Sequence, residues 1–167
     1  MSELVEGPLH ADLAPLAFLL GTWRGAGSGG YPTIDPFEYE EELRFEHVGD
    51  TFLLYQQRSW SPQDGSPIHF ERGFLRPGEP GRVELTLAHP LGLTEIAEGA
   101  LDGTRLEGTA LELVSREIGR TTTGMYAIAL IRRYRTQGDT LRYETEMQTE
   151  RTLMTRHLEA ELHRVGP

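Results

Sequence analysis

Six histidines, His10, His47, His69, His89, His157 and His163, are the side chains of this sequence best equipped for chemistry. A neutral imidazole ligates transition metals and passes protons near neutral pH. The chain has no cysteine, and every one of its 16 basic residues is arginine. Disulfides, thiolate metal sites, iron–sulfur clusters and cysteine nucleophiles are thereby excluded. So are a Schiff-base lysine and a phosphate-loop lysine. Redox chemistry would need a bound cofactor.

The six are not equivalent. His10 lies in a polar leader and reads as solvated, His163 as exposed near the end of the chain, and His47 as a packed or turn-capping residue before Val48-Gly49. His69 and His89 fit either a satisfied core position or a pocket wall. A metal centre built on His47, His69 and His89 would draw on three separate strands with no short ligand spacing, which argues against it. The other distinctive string is Gly21-Thr22-Trp23-Arg24-Gly25-Ala26-Gly27, followed by Tyr31-Pro32-Thr33-Ile34. Its glycines permit close backbone approach and its tryptophan is a large apolar anchor, so it suits the closing seam of a barrel.

Positioning these residues falls to short elements. Ala11 to Leu20 carries Leu13, Leu16, Ala17 and Leu20 at helical spacing, a short helix suited to plugging one end of a barrel. From Gly21 the pattern changes to two-residue alternation, as in Val83, Leu85 and Leu87 against Arg82, Glu84 and Thr86. Ten strands are predicted: Gly21–Gly27, Tyr39–His47, Thr51–Trp60, Ile68–Arg76, Arg82–His89, Thr94–Leu101, Arg105–Ser115, Met125–Thr136, Thr140–Thr149 and Arg156–Val165. Turn pairs at Gly49-Asp50, Asp64-Gly65, Pro77-Gly78, Asp102-Gly103 and Gly138-Asp139 make consecutive strands antiparallel. The expected fold is all-β, a ten-stranded antiparallel up-and-down β-barrel of the lipocalin or fatty-acid-binding kind with a short N-terminal helix. It forms one domain over 1–167, the barrel itself spanning about 21–165. Such a closed barrel leaves room for one small ligand.

A formal charge of −10 repels phosphate backbones and anionic membrane surfaces, so neither nucleic acid nor a membrane is an expected partner. No stretch is apolar for the length of a membrane span and no signal peptide is evident, which makes the cytoplasm the expected location.

The glycine–tryptophan string resembles the signature of the nitrobindin family. Further blocks resemble that family in the same order: Phe37-Glu38-Tyr39-x-Glu41-Glu42, Phe45-x-His47-Val48-Gly49, Pro67-Ile68-His69-x-Glu71-x-Gly73-Phe74-x-Arg76, Gly92-Leu93-Thr94-Glu95 and His157-Leu158-x-Ala160-x-Leu162. The resemblance implies a barrel holding b-type haem, with His157 as iron ligand and catalytic residue. It also implies Ile68, His69, His89 and Met147 beside the ligand and Thr33 near a propionate, with Gly21, Trp23, Gly25 and Gly27 as the family motif. The implied activity is isomerisation of peroxynitrite to nitrate at ferric iron, with nitric oxide as a further ligand; a homodimer is left open. A lysine that several relatives carry near the start of the strand at Met125 is missing, so either Arg120 or Arg132 takes over a propionate contact or the haem is held more loosely. The alternative is a haem-free carrier of a small apolar ligand or fatty acid in the barrel cavity.

One local conflict yields a structural expectation. Simple alternation sets His157 on the face opposite Leu158, Ala160 and Leu162. If all of these face inward, the backbone over Met154–His157 must be irregular, as a β-bulge would make it.

Overall fold

Strand alternation translates directly into burial. In a computed structural model describing residues 7–104 and 108–166, Val83, Leu85 and Leu87 are buried while Arg82 and Thr86 are exposed. The same pattern repeats around ten strands: β1 (Gly21–Tyr31), β2 (Ile34–His47), β3 (Leu53–Trp60), β4 (Pro67–Pro77), β5 (Arg82–His89), β6 (Leu93–Thr104), β7 (Gly108–Arg120), β8 (Ala129–Gln137), β9 (Thr140–Thr149) and β10 (Thr152–Gly166). Each pairs antiparallel with its sequence neighbours, and β1 pairs with β10 to close the barrel. Closure removes the free edges that an open sheet of this length would expose. Among the described residues no helix is long and apolar enough to cross a membrane.

One end is plugged by the N-terminal segment, as expected, but with a different stripe. Ala11–Leu19 is a 3₁₀ helix that buries Leu13, Leu16 and Leu19. Three residues per turn put every third side chain on one face, whereas Leu13, Leu16, Ala17 and Leu20 would serve an α-helix. Trp23 Nε1 donates to the Leu19 carbonyl at 2.8 Å, and the Arg164 guanidinium lies 4.0 Å from the tryptophan ring centre. The glycine–tryptophan string thus seals the seam between β1 and β10. A Cβ at Gly25 would meet the Glu161 carbonyl oxygen at 2.1 Å, and one at Gly27 would meet the Tyr39 ring at 2.3 Å.

Several expected boundaries move. Strand β2 begins at Ile34 instead of Tyr39, because β1 continues to Tyr31 and pairs with it there. Asp102-Gly103 is not a turn: both residues lie in β6, paired with Ala110 and Thr109, and the expected start at Arg105 falls outside the described residues. Strand β7 runs on to Arg120 because Leu93 to Ile96 supply partners for it. Met125 is not a strand start either. Its N–H donates to the Leu91 carbonyl at 2.9 Å, across the mouth of the barrel, and β8 begins at Ala129.

Candidate functional site

The end opposite the helical plug opens into a cavity. It offers about 180 Å³ to the centres of water-sized spheres, roughly ten times what one water molecule needs. His157 reaches this cavity through the expected irregularity. On β10, Arg156 pairs with Glu146 and Leu158 with Thr145, leaving His157 as the extra residue of a bulge. Consecutive residues His157 and Leu158 therefore both line the cavity, which regular alternation forbids. His157 Nδ1 lies 3.0 Å from the Gly30 carbonyl oxygen. A carbonyl can only accept, so Nδ1 carries the proton and Nε2 keeps its lone pair. Burial favours the neutral imidazole and moves it below its ordinary pKa, against the smaller opposing effect of the Gly30 hydrogen bond. Tyr31 packs edge-on against it with ring centres 5.5 Å apart, and its hydroxyl donates to the Met147 carbonyl at 2.9 Å.

The facing wall uses the same device. Ser59 pairs with His69 and Trp60 with Pro67, so Ile68 is the extra residue on β4, and Ile68 and His69 both line the cavity. Strands β4 and β5 lie four and five positions around the barrel from β10, which sets His69 and His89 across from His157. Glu71 joins them: His69 Nε2 is 3.2 Å and His89 Nδ1 3.3 Å from its Oε2. Tyr55 donates to Oε1 of the same carboxylate at 2.5 Å, and Arg132 donates to both oxygens at 2.8 and 3.1 Å. Arg132 also holds Glu95 at 2.8 Å. Burial alone would raise both carboxyls, but Arg132 with the histidines wins, and Glu71 lies well below the usual carboxylate range with Glu95 also lowered.

Beneath these groups the floor is polar and differently charged. Glu41 is fully buried and accepts from Gln57 Nε2 at 2.9 Å and from the Tyr143 hydroxyl, which in turn lies 2.7 Å from the Tyr39 hydroxyl. Among the described residues no arginine is paired with it, and burial pushes its pKa up to about 8. At neutral pH Glu41 is therefore largely the neutral acid.

Of the residues singled out by sequence, Ile68, His69, His89, Met147 and His157 converge on the cavity. Thr33 does not: it sits exposed in the turn between β1 and β2 at the same end of the barrel. Arg132 is committed to Glu71 and Glu95 and is not a free cation for a propionate, whereas Arg120 stacks 4.4 Å from the Tyr126 ring. His47 pairs with Leu53 while His69 pairs with Ser59, six residues along β3 and about 20 Å away, so the three-histidine centre is not assembled. His10 caps the helical plug, its Nδ1 accepting from the Asp12 N–H. Sequence reasoning gave no role to Glu71, Glu95, Glu41 or Tyr55, and gave Arg132 a propionate contact instead of its two buried carboxylates. The signal was available in part, since Glu71 shares the face of His69 by alternation.

Comparison with known proteins places this geometry in a family context. The family model described as a THAP4-like, heme-binding beta-barrel domain matches residues 12–164. The chain is similar to peroxynitrite isomerase 2 of Mycobacterium avium, 49% identical over 158 residues that cover 93% of this chain and 96% of that protein. It is similar to the peroxynitrite isomerase of Nocardia farcinica, 48% identical over 157 residues, covering 93% and 92%. The crystal structure of Rv2717c from M. tuberculosis superposes with a TM-score of 0.91 at 46% identity, covering 95% of this chain and 99% of that one.

Proposed function

The chain belongs to the family of THAP4-like, heme-binding β-barrel domains, and on that premise we propose that it is a haem-dependent peroxynitrite isomerase with His157 as the iron ligand. The observation that carries the ligand assignment is the His157 bulge with its Nδ1–H held by Gly30. It delivers a neutral imidazole with Nε2 free, the state an axial ligand requires, and a hydrogen bond on the other nitrogen fixes the tautomer and raises ligand basicity.

The cavity fits the rest of the group. Phe37, Leu130, Met147 and Leu158 give apolar walls for a flat macrocycle. Ile68, Leu91 and Met125 line the mouth with 43%, 50% and 39% of their surface exposed, apolar area that a bound macrocycle would cover. Haem, if bound, would supply a ferric iron with a coordination position at which peroxynitrite could isomerise to nitrate without net electron transfer. The chain's own residues do the rest. His157 would hold the iron, and the apolar walls limit water in the cavity. His69 and His89, fixed by Glu71, present the hydrogen-bonding groups of the facing wall and orient an anion there. With Arg132 committed to carboxylates, Arg120, exposed beside Tyr126, is the arginine of the two that is left to meet a propionate. Nitric oxide is a second ligand for the same open position, and the cysteine-free composition suits a cytoplasmic location.

The test is a haem titration of wild type and His157→Ala. The expected result is a Soret band saturating at one haem per chain in the wild type and lost or shifted in the variant, with stopped-flow acceleration of peroxynitrite decay by the ferric wild type. Absence of a saturable wild-type band would refute the haem assignment and return the cavity to an apolar carrier role.

A further inference from the structure

The wall facing His157 carries a second donor set. His69, Glu71 and His89 each place one ligand-capable atom within 4.8 Å of the other two. His69 Nε2 and His89 Nδ1 stand 3.2 and 3.3 Å from Glu71 Oε2. Donors around a tetrahedral ion with bonds of about 2.0–2.1 Å are separated by about 3.3 Å, so two of the three separations already match. We propose that His69, Glu71 and His89 form a binding site for a divalent first-row transition-metal ion of the zinc class, separate from the iron ligand His157 and open toward the cavity.

Three features support a cation there beyond the spacing. First, two imidazoles and one carboxylate are a donor set for zinc or non-haem iron(II); magnesium and calcium prefer all-oxygen sites. Second, His89 is oriented as metal-bound histidines are. With Nδ1 toward the site, its buried Nε2 has no hydrogen-bond partner among the described residues, and the nearest carboxylate among them is Glu95 at 3.6 Å. A carboxylate behind a ligating histidine fixes its tautomer and strengthens its donation. Third, with both histidines neutral, as ligation requires, Glu71 and Glu95 carry two negative charges against the single positive charge of Arg132, leaving one negative charge that a cation would offset. Arg132 does not close the site. It takes Glu71 Oε1 at 2.8 Å and the longer of its two bonds goes to Oε2, leaving that oxygen's remaining lone pair for the ion. Three protein ligands leave an open position, as in zinc sites that bind water or substrate. Both histidines line the cavity, so an ion they held would present positive charge to an anion bound there.

The proposal does not rest on the haem reading, and equilibrium dialysis against Zn²⁺ with metal analysis separates the two. Haem-loaded wild type should take up one zinc per chain saturably. His69→Ala and His89→Gln should each lose at least about tenfold in zinc affinity, and Glu95→Gln should lose about 10–100-fold. His157→Ala should lose haem and keep zinc. His69 is the decisive position because its side chain is 25% exposed and its removal leaves the Glu71–Arg132 pair intact, so the variant folds. Absence of saturable zinc in the wild type, or unchanged uptake by His69→Ala, would overturn the site. Zinc lost on His69→Ala in a protein that never shows a Soret band would refute the haem reading alone.

Discussion

Glu41→Gln tests whether a carboxyl group on the cavity floor is neutral in the folded protein. The group has a pKa of about 8 in the folded state against an ordinary 4.5, and burial is the dominant cause. That gap, at about 1.36 kcal/mol per pH unit, is worth about 5 kcal/mol. Because the folded value is the higher one, the native state holds more protons than the unfolded chain between the two values. The favourable contribution is therefore complete below pH 4.5, declines as pH rises, and is gone above about pH 8. Glutamine keeps the shape and cannot ionise. Relative to wild type, Glu41→Gln should be neutral or slightly destabilising at pH 5 and progressively stabilising toward pH 9. The difference between the two proteins should swing by several kcal/mol over that range. Urea midpoints at pH 5, 6, 7, 8 and 9, with both proteins in the same haem state, give this difference directly. Taking the difference cancels His157, whose lowered pKa acts with the opposite sign on the acid side of that range. Glu71 and Glu95 titrate below the range. Parallel midpoint curves for the two proteins would refute the reasoning and mean that Glu41 is ionised at neutral pH.

Two further outcomes follow from packing and charge. Arg132→Met strands the Glu71 and Glu95 carboxylates in the interior and should destabilise the barrel by about 3–5 kcal/mol at pH 7, read as a lower urea midpoint. Adding Glu71→Gln and Glu95→Gln to that variant should recover much of the loss. Gly25→Ala places a methyl group 2.1 Å from the Glu161 carbonyl oxygen, a backbone atom that cannot step aside, and should cost about 3 kcal/mol or more by separating β1 from β10. Faster amide exchange confined first to those two strands is the accompanying sign.

Much of the candidate site was legible in the sequence. Alternation names the inward face of each strand, so Val83, Leu85 and Leu87 declared a barrel wall before any coordinates. It also exposed its own violation at His157 and Leu158, which required a bulge, and β10 has one there. The blocks from Gly21 to Leu162 pointed in one order to one family, and the family is the one the chain belongs to. Boundaries were less legible. Where β7 ends and β8 begins depends on which strand offers free hydrogen-bonding groups, and those partners are distant in the chain, Arg120 pairing with Leu93 27 residues away and Ala129 with Gln148 19 residues away.

What only the tertiary structure decided is the chemistry of the wall facing His157. Parity places Glu41 and Glu71 on inward faces but assigns them no partner, and an acidic residue in a strand ordinarily reads as solvated. Arg132 reaches Glu71 and Glu95 across separations of 61 and 37 residues, so neither pair leaves a local trace. The same holds for the histidines. His69 and His89, 20 residues apart, meet because β4 and β5 pair and alternation sets His69 on the inward face with Glu71, the bulge adding Ile68 to the same wall, while His47 goes to the far end. Sequence determines which residue types are available and which face each one takes. Closing the barrel determines which of them meet, because antiparallel register brings distant residues together and excludes water from the space between them.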